Sequence, residues 1–253
     1  MIYVTGDTHG QFEHRFKMEA FPEQKYMAKD DYVIICGDFG GIWDRAGESD
    51  SEKYWLDWLN DRAYTLLFID GNHENFHRIE SYPEREWHGG RIHEIRPSVY
   101  HLMRGQVYEI DGKKIFTFGG AASHDISSGI LDLDEPEFRR KKKKLDLGHK
   151  QYRIKNLTWW EQEMPSEEEM NEGITNLQKH NNEMDYIVTH CCSTSTLNAI
   201  GIQELYLPDK ATEYLERIKN TVTYNKWFFG HYHENVNVNS KELLIYEQII
   251  RIS

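Results

Sequence analysis

The amino-acid sequence predicts a layered α/β fold built from mixed sheets. Short apolar, β-rich runs alternate with helical segments, and their nearly continuous apolar character indicates strands covered on both faces. Between Arg91 and Phe118 the pattern changes to consecutive strands. Parallel-type units combined with hairpins are typical of mixed sheets stacked in layers.

Six apolar runs are predicted as strands, taken here in chain order. They span residues 2–5, 32–36, 64–69, 115–118, 186–189 and 226–229. A hairpin is predicted at residues 108–113, because Asp111-Gly112 favours the tight turn between two strands. Residues 235–253 are predicted to form a closing hairpin.

Residues 123–165 are predicted to be a helical insertion within a single domain that spans residues 1–253. Capping boxes, in which a Ser, Thr or Asp precedes a Glu by three positions, predict three helix starts in and after it. They are Asp134 with Glu137, Thr158 with Glu161, and Ser166 with Glu169. The third helix would carry an apolar stripe of Met170, Ile174 and Leu177.

Composition sets limits on the class of protein. Of the 253 residues, 39% are hydrophobic and 13% aromatic, which is enough for a core and excludes a disordered chain. The formal net charge is -12, from 42 acidic and 30 basic residues. Because an acidic surface repels nucleic-acid backbones, general nucleic-acid coating is disfavoured, although a positive site could still take an anionic substrate.

Cysteine usage and hydropathy predict a soluble cytoplasmic protein. Three cysteines, Cys36, Cys191 and Cys192, are too few for a disulfide framework and fit a reducing compartment. The first residues lack the features of a signal peptide, and no run approaches the ~18 apolar residues of a membrane span. Cys191 and Cys192 follow His190 directly; a thiolate there could compete for a soft metal, but packing as buried small hydrophobes is favoured.

Five predicted strands end directly in a cluster of Gly, Asp, Asn or His. The clusters are Gly-Asp-Thr-His-Gly at 6–10, Gly-Asp-Phe-Gly-Gly at 37–41, Asp-Gly-Asn-His-Glu at 70–74, His190, and Gly-His-Tyr-His at 230–233. Ligands of α/β sheets collect at the carboxyl ends of strands, so these clusters are expected to converge in space.

The side chains in these clusters suit metal ions. Two carboxylates, one amide carbonyl and four imidazoles are available: Asp7, Asp38, Asn72, His9, His190, His231 and His233. Nitrogen and oxygen ligands without thiolate suit Mn, Fe, Zn, Ni or Co more than Ca or Mg. Each motif alone is more often an ordinary turn, but five in this order indicate a metal site.

With these motifs the sequence resembles the calcineurin-like metallophosphoesterase superfamily. That family's signature is Asp-x-His, Gly-Asp, Gly-Asn-His-Asp/Glu, a single His and Gly-His-x-His, and all five parts occur between Asp7 and His233. The resemblance implies a four-layer α/β/β/α sandwich of two mixed sheets flanked by helices. It also implies two divalent transition-metal ions, manganese first, with Fe, Zn, Ni or Co as alternatives. One would be held by Asp7, His9, Asp38 and His233, and the other by Asp38, Asn72, His190 and His231.

The resemblance further implies hydrolysis of a phosphate mono- or diester of small or medium size. A hydroxide that bridges the ions would attack in line, with Asp38 as the shared ligand and His73 as the general acid. Two divalent ions bring four positive charges and Asp7 and Asp38 return two. The surplus would bind a phosphate dianion inside an acidic protein.

Two further segments are candidates for substrate contact. The phosphatase branch of the family often has Asp-Arg-Gly after Gly-Asp, and here Asp44-Arg45-Ala46-Gly47 is displaced by extra residues. Arg45 could clamp phosphate and Asp44 could orient His73, but a solvated loop is slightly favoured. His124 and Asp125 follow a predicted strand end and would either reach the site or form a turn.

The alternative functions are a metal-dependent nuclease and a non-catalytic scaffold of the same fold. Residues 139–144, Arg-Arg-Lys-Lys-Lys-Lys, could bind a polyanion; a helix paired with the acidic blocks at 132–137 and 161–172 is favoured. The chain ends soon after His233, where the nuclease branch usually adds a cap domain, and this disfavours a nuclease that acts on double-strand breaks. The complete ligand set, with His73, argues against a scaffold.

Overall fold

The structure, a computed structural model, describes residues 1–202 and 205–253. In these residues the chain forms fifteen strands. They are β1 (Ile2–Thr5), β2 (Tyr32–Ile35), β3 (Thr65–Phe68), β4 (Glu84–Trp87), β5 (Gly90–Arg96), β6 (Val99–Leu102), β7 (Gln106–Ile110), β8 (Lys113–Phe118), β9 (Ile130–Leu131), β10 (Arg153–Ile154), β11 (Glu183–Thr189), β12 (Thr223–Phe229), β13 (Val236–Asn237), β14 (Glu242–Leu244) and β15 (Ile249–Arg251).

Seven α-helices and two 3₁₀ helices accompany the strands in the same described ranges. The α-helices are α1 (Phe12–Phe16), α2 (Asp50–Asn60), α3 (Phe76–Ile79), α4 (Phe138–Leu147), α5 (Glu167–Lys179), α6 (Thr194–Ile200) and α7 (Lys210–Thr221); the 3₁₀ helices are Pro22–Tyr26 and Glu161–Glu163. Among the described residues, no helix is both long and apolar enough to cross a membrane.

The strands form two large mixed sheets, as predicted. One has seven strands in the order β15-β1-β2-β3-β6-β5-β4, and the other has six in the order β13-β14-β12-β11-β8-β7. Each sheet is parallel at its centre and antiparallel at its edges. A small pair, β9 with β10, lies outside both sheets.

Alternating side chains along the strands build the layers. Ile2 and Val4 of β1 face the other sheet and share a core with Phe228 of β12. Between them, Tyr3 points the opposite way and packs with Phe16 of α1. The outer face of the six-stranded sheet is covered by α5, α6 and α7. The fold is therefore a four-layer α/β/β/α sandwich, which confirms the expected architecture.

All six predicted strands are present, with small differences at their ends. The runs at 32–36 and 64–69 form shorter strands, and those at 115–118, 186–189 and 226–229 begin two or three residues earlier, in polar residues that precede the apolar run. The predicted hairpin joins β7 and β8. Asp111 and Gly112 have φ of 50° and 70°, the left-handed conformation that a tight two-residue turn requires.

The predicted closing hairpin is only partly right. Strands β13 and β14 form a short hairpin, but β15 leaves that sheet and pairs antiparallel with β1 of the other. There it supplies hydrogen-bond partners to the edge of β1, which an uncovered strand would lack. Ile250 packs against the core between the sheets, while Ile249 packs on the opposite side.

Two of the three predicted capping boxes are wrong. Helix α4 begins only after Glu137, without a side-chain cap, because Pro136 keeps the residue before it out of the helical region. The hydroxyl of Thr158 instead accepts a hydrogen bond from the Ile154 N–H at 2.8 Å within a turn. A short 3₁₀ helix follows it and also lacks a side-chain cap.

The third capping box is confirmed and supports a stability prediction. The Ser166 hydroxyl accepts from the Glu169 N–H at 3.2 Å, and the Glu169 carboxylate accepts from the Ser166 N–H at 2.7 Å. Met170 and Leu177 of the predicted stripe are buried, with Ile174 half-buried. Ser166→Ala should lower the free energy of unfolding by about 1 kcal/mol, because an N–H at the helix start loses its acceptor.

Urea unfolding measures this change, and Thr175→Ala is the matched control. Thr175 is exposed in the middle of α5, and its hydroxyl donates a hydrogen bond to the Asn171 carbonyl of the same helix. The control should stay within about 0.5 kcal/mol of the unaltered protein. Equal losses in the two variants would contradict a capping role for Ser166.

Candidate metal centre

All seven residues that were predicted as metal ligands meet at one edge of the paired sheets. They follow the carboxyl ends of β1, β2, β3, β11 and β12, which are central parallel strands of the two sheets. Carboxyl ends of parallel strands share one edge, so residues far apart in sequence become neighbours. The residues are Asp7 and His9, Asp38, Asn72, His190, and His231 and His233.

Four of them form a tight group in which each offers one donor atom. The carboxylates of Asp7 and Asp38 and the rings of His9 and His233 place these atoms within 4.8 Å of one another. The Nε2 atoms of His9 and His233 lie 2.9 Å apart. His233 Nε2 is 3.2 Å from the Asp7 carboxylate. This spacing is compact enough for the four side chains to surround one cation.

A second group lies on the other side of Asp38. His190 Nε2 is 3.1 Å from the Asn72 side-chain oxygen and 3.5 Å from Asp38 Oδ1. The other ring nitrogen, Nδ1, lies 2.7 Å from the Cys36 carbonyl, which fixes the proton on Nδ1 and leaves Nε2 with a lone pair. The His231 ring centroid is 4.9 Å from that of His190.

Asp38 faces both groups with different oxygens. Its Oδ2 is 3.7 Å from His9 Nε2, whereas its Oδ1 is turned toward His190 and accepts a hydrogen bond from the His73 N–H at 2.8 Å. One carboxylate thus contributes an oxygen to each group. This is the arrangement that a ligand shared between two ions requires.

The backbone at this edge is strained at the residues that carry donors. His9, Asp38, His231 and His233 have φ between 46° and 72°, the left-handed region that non-glycine residues rarely adopt. Each such residue costs on the order of 1–3 kcal/mol and persists only where the surroundings enforce it. Four of the seven candidate ligands are strained in this way. Their backbone conformation is therefore set by the need to place the donor atoms and not by its own stability.

Two glycines allow the loops to approach the carboxylates. A side chain at Gly71 would collide with the Asp38 carboxylate, and one at Gly230 would collide with that of Asp7. The next residues, Asn72 and His231, are thereby brought against the site. Only glycine, which has no Cβ atom, lets the backbone lie this close to a neighbouring side chain.

The electrostatics of the site fit a bound cation. Asp7 and Asp38 are each 1% exposed, and among the described residues neither forms an ion pair with a Lys or Arg side chain. Two buried carboxylates without a cationic partner are costly. Burial raises the pKa of Asp38, whereas hydrogen bonding by His233 and other groups holds the pKa of Asp7 below its usual value despite burial. Divalent ions would supply the missing positive charge.

Two of the imidazoles, those of His9 and His231, are held in the neutral form that metal binding needs. Burial lowers the pKa of His9 to about 4 and places the pKa of His231 well below its usual value. His233 is half-exposed, and its hydrogen bond to Asp7 raises its pKa. The donor set therefore fits divalent transition metals.

A third buried aspartate at this edge, Asp70, differs in being fully paired. Its carboxylate accepts from Arg104 at 2.9 and 2.6 Å and lies 3.2 Å from His101 Nε2. Burial would raise the pKa of Asp70, but Arg104 and His101 lower it below its usual value. Because its charge is compensated within the protein, Asp70 is a structural residue.

His73 lies beside the first group without joining it. Its ring centroid is 5.6 Å from that of His9, and burial lowers its pKa. A cation that the sequence analysis did not single out, Arg153 of β10, has Nη2 3.3 Å from His73 Nε2. Arg153 is bound in turn to Asp125. The sequence around Arg153 contains no motif that indicates a site residue. Arg153 comes close to His73 only because of the way residues 123–165 fold.

Asp44 and Arg45, which were proposed for substrate contact, lie in the stretch of chain between β2 and α2. Both are exposed, and the Asp44 contacts are made by its backbone, to Glu52 and Arg78, within a turn. Among the described residues, the hydrogen bond to the His73 side chain comes from Arg153, in the segment at 123–165. The solvated loop is therefore the better description of the displaced Asp-Arg pair.

His124, the third candidate for substrate contact, does reach the edge of the site. It is exposed, and its ring centroid lies 6.3 Å from that of His231 and 4.8 Å from that of Tyr206. The neighbouring Ser123 connects the same segment to the donors, since its hydroxyl accepts from the Asn72 amide at 3.3 Å. Residues 123–125 thus border the second group.

The basic run forms most of α4, which has no buried residue. Its cations pair locally: Arg140 with Glu137, Lys141 with Glu135, and Lys142 with Asp146. Pairing with the acidic block at 132–137 is confirmed, whereas no ion pair among the described residues joins the run to the block at 161–172.

The cysteines beside His190 behave as expected: Cys191 and Cys192 are buried, and burial raises the pKa of both thiols.

Comparison with known proteins gives the class to which this fold and site belong. Residues 1–235 match the family described as calcineurin-like phosphoesterases, so the chain belongs to the calcineurin-like phosphoesterase family. This confirms the resemblance found in the five motifs. The general activity of the family, phosphoester hydrolysis, agrees with a site rich in carboxylate and imidazole donors.

Several curated relatives are lariat debranching enzymes. The chain is 23% identical to that of Danio rerio over 144 residues, 25% identical to that of Homo sapiens over 143 residues, and 26% identical to that of Drosophila pseudoobscura pseudoobscura over 141 residues. Each match covers 51–52% of this chain and 24–25% of the relative. The chain thus spans about a quarter of the length of these relatives.

A solved structure, the phosphopantetheinyl hydrolase of Mycobacterium tuberculosis, aligns with a TM-score of 0.47 at 13% identity, covering 97% of this chain and 89% of that one.

Proposed function

We propose that this protein is a binuclear metal-dependent phosphoesterase that hydrolyses a phosphate mono- or diester, with His73 as general acid. The observation that carries the proposal is the convergence of five nitrogen and oxygen donors on two buried carboxylates, Asp7 and Asp38, that have no Lys or Arg ion-pair partner in the described chain. Membership in a phosphoesterase family supports the same reaction class.

In this proposal one ion is held by Asp7, His9, Asp38 and His233, and the other by Asp38, Asn72, His190 and His231. When bound, two such ions would activate water and neutralise charge on phosphoryl oxygens. Manganese is the proposed metal, with Fe, Zn, Ni or Co as alternatives; the donors are nitrogen and oxygen, and burial raises the pKa of the nearby thiols, which disfavours a thiolate ligand. The chain itself fixes the donors through strained loops, and burial keeps the imidazoles of His9 and His231 neutral by lowering their pKa.

His73 would donate a proton to the leaving oxygen. Its main-chain N–H is held by Asp38 at 2.8 Å, while its side chain lies outside both donor groups. Burial lowers its pKa in the free protein. A phosphate dianion beside the ring would favour the protonated form, as any nearby negative charge does. Substrate binding and the charging of His73 would therefore support each other.

The same proposal includes one domain and a cytoplasmic location. Residues 1–253 are proposed as a single domain with residues 123–165 as an insertion, which agrees with the pairing of β15 with β1. A cytoplasmic location is supported by three cysteines that are all free. A substrate of small or medium size is proposed, because the formal net charge of -12 disfavours a polyanionic nucleic acid.

A metal-supplemented assay tests the function. The purified protein, with its metal content measured, is offered p-nitrophenyl phosphate, bis-p-nitrophenyl phosphate and single-stranded RNA in the presence of Mn²⁺, Zn²⁺ or Ni²⁺. We expect hydrolysis that requires the ions and disappears on chelation. Protein that contains two ions per chain and cleaves none of the three substrates would contradict the proposal and favour a scaffold.

The nuclease alternative rests on the position of α4 in the chain. The helix lies between β9 and β10, and β10 carries Arg153 to the side chain of His73.

Replacing all six basic residues at 139–144 with Gln should leave kcat/KM for p-nitrophenyl phosphate within about twofold, because surface charges act weakly beyond a Debye length of roughly 8 Å.

RNA is the comparison substrate for the α4 variant. If the variant loses RNA cleavage while it retains aryl phosphate hydrolysis, the basic helix binds nucleic acid and the nuclease function is the correct one. Equal retention of both activities supports the assignment of α4 as a solvated helix with local ion pairs.

A further inference from the structure

We propose that Arg153 binds a non-bridging phosphoryl oxygen of the substrate, and that Asp125 is the residue that positions it. This inference rests on the proposed phosphoesterase function and adds a specificity-determining residue to that site. Neither residue belongs to the motifs that carry the family resemblance. Both come from the segment at 123–165, which approaches the site from outside the two sheets.

The guanidinium of Arg153 is already oriented. Its Nε donates to Asp125 Oδ1 at 2.9 Å and its Nη2 donates to Asp125 Oδ2, so the carboxylate holds the planar group along one edge. Burial would raise the pKa of Asp125, but the hydrogen bonds from Arg153 lower it. The side chains of Arg153 and Asp125 are only 18% and 28% exposed. Orientation before binding reduces the entropy lost when an anion is bound.

The contact with His73 shows where the cation lies. Arg153 Nη2 is 3.3 Å from His73 Nε2. A guanidinium can only donate, so His73 Nε2 must be the acceptor in this arrangement. The positive group of Arg153 therefore lies next to the proposed acid, on the side of the site where the phosphoryl group and the leaving oxygen would be.

Arg153 retains unused donor capacity. Among residues 1–202 and 205–253, no hydrogen bond is made by its Nη1, which carries two N–H groups. A phosphoryl oxygen could accept from Nη1 and could also replace His73 Nε2 as a partner of Nη2. If the phosphoryl oxygen replaces His73 Nε2 as the partner of Arg153 Nη2, His73 Nε2 becomes free to carry a proton toward the leaving oxygen. Substrate binding would thus remove the contact that occupies this nitrogen.

The competing explanation is purely structural. Arg153 would then serve only to attach β10 to Asp125, in the way that surface ion pairs join loops elsewhere in the chain. The two explanations differ in a measurable quantity, the affinity for a phosphate anion. A structural pair affects folding stability and leaves anion affinity unchanged, whereas a phosphate ligand affects affinity directly.

The test uses Arg153→Gln and Arg153→Lys in the full, metal-loaded chain, with Arg140→Gln as the matched control. Arg140 lies in the same segment, is 78% exposed and, among the described residues, forms an ion pair with Glu137 alone. Inorganic phosphate is the probe, and its affinity is measured by calorimetry and by inhibition of bis-p-nitrophenyl phosphate hydrolysis. Metal content and thermal unfolding are recorded for every variant.

We expect Arg153→Gln to weaken phosphate affinity and to raise KM by about 10- to 100-fold, because charge-assisted hydrogen bonds to the anion are lost. Arg153→Lys should recover part of the affinity, since it keeps the charge without the planar fork. Arg140→Gln should change neither quantity. In all variants the metal content should stay at the value of the unaltered protein.

Two results separate failure of this inference from failure of the proposed function. Unchanged phosphate affinity and KM in a folded, metal-loaded Arg153→Gln protein would overturn the role of Arg153 while leaving the phosphoesterase intact. If the unaltered protein shows no hydrolysis at all, the proposed function fails. The direct binding measurement then still decides whether Arg153 binds phosphate.

Discussion

Asp38→Asn is expected to reduce phosphoester hydrolysis below detection and to lower the metal content below two ions per chain. Asp38 is the one donor that faces both groups, with Oδ2 toward His9 and Oδ1 toward His190. The amide keeps the shape and the acceptor for the His73 N–H but removes the negative charge that would offset repulsion between two cations. Activity assays and elemental analysis of the purified variant measure the two effects.

Thermal unfolding of the metal-free proteins gives an independent check. Burial raises the pKa of Asp38, so its charged form is unfavourable in the folded protein without ions. Metal-free Asp38→Asn should therefore unfold at a higher temperature than the metal-free unaltered protein, while gaining less from added Mn²⁺. This combination of higher stability and lost activity is the usual signature of a functional site that is costly to fold.

Asp70→Asn is the matched control for Asp38→Asn. Asp70 is also buried at a strand end, but its charge is compensated by Arg104. We expect this variant to bind two ions and to unfold at a lower temperature, because Arg104 loses a buried partner. The shared-ligand assignment of Asp38 would be abandoned if Asp38→Asn retained two tightly bound ions and normal turnover.

His73→Asn is expected to reduce hydrolysis of alkyl phosphates by about 10²- to 10⁴-fold, the usual contribution of general acid catalysis. An alkoxide leaving group is strongly basic and needs a proton as the bond breaks, whereas p-nitrophenolate needs little help. The loss on p-nitrophenyl phosphate should therefore be much smaller. Metal content should remain unchanged, since the His73 side chain lies outside both donor groups.

An exposed histidine four positions further along supplies the control. His77→Asn removes an imidazole from the surface of α3 and should leave both substrates unaffected. If His73→Asn slows alkyl and aryl substrates equally, or loses an ion, then His73 packs or coordinates metal and does not act as the acid. The ratio of the two rates is the measurement that decides.

The metal centre could be predicted because its information is local. Asp7, Asp38 and Asn72 follow apolar runs that form short, fully buried strands. Once such strands pair in parallel, their carboxyl ends necessarily lie at the same edge of the sheet. The layers could be predicted for the same reason, since continuous apolar runs signal burial on both faces. These features depend on neighbouring residues and not on the route of the chain.

Features that depend on the route of the chain could not be predicted. Nothing near Arg153 in the sequence indicates that β10 returns to His73. The sequence offered Asp44 and Arg45 as candidates for contact with the acid and the phosphate, and it slightly favoured a solvated loop for them. The closing hairpin was predicted only in part for a similar reason, because the apolar residues Ile249, Ile250 and Ile252 could pack in either sheet and the open edge of β1 determined the outcome. The failed capping boxes reflect competition from Pro136 and from a turn at Thr158.

The distance along the chain between the two halves of the site affects how the protein folds. His9 and His233, whose Nε2 atoms lie 2.9 Å apart, are separated by 224 positions. Strands β1 to β3 can pair early with one another, but neither ion would have all its ligands until β11 and β12 have also formed. Contacts this distant in sequence are slow to form, because loop closure must precede them. A nascent chain that lacks the residues after β12 would be without His231 and His233, so neither proposed ion would have its full set of ligands. Metal ions would therefore stabilise the assembled protein rather than guide its early folding.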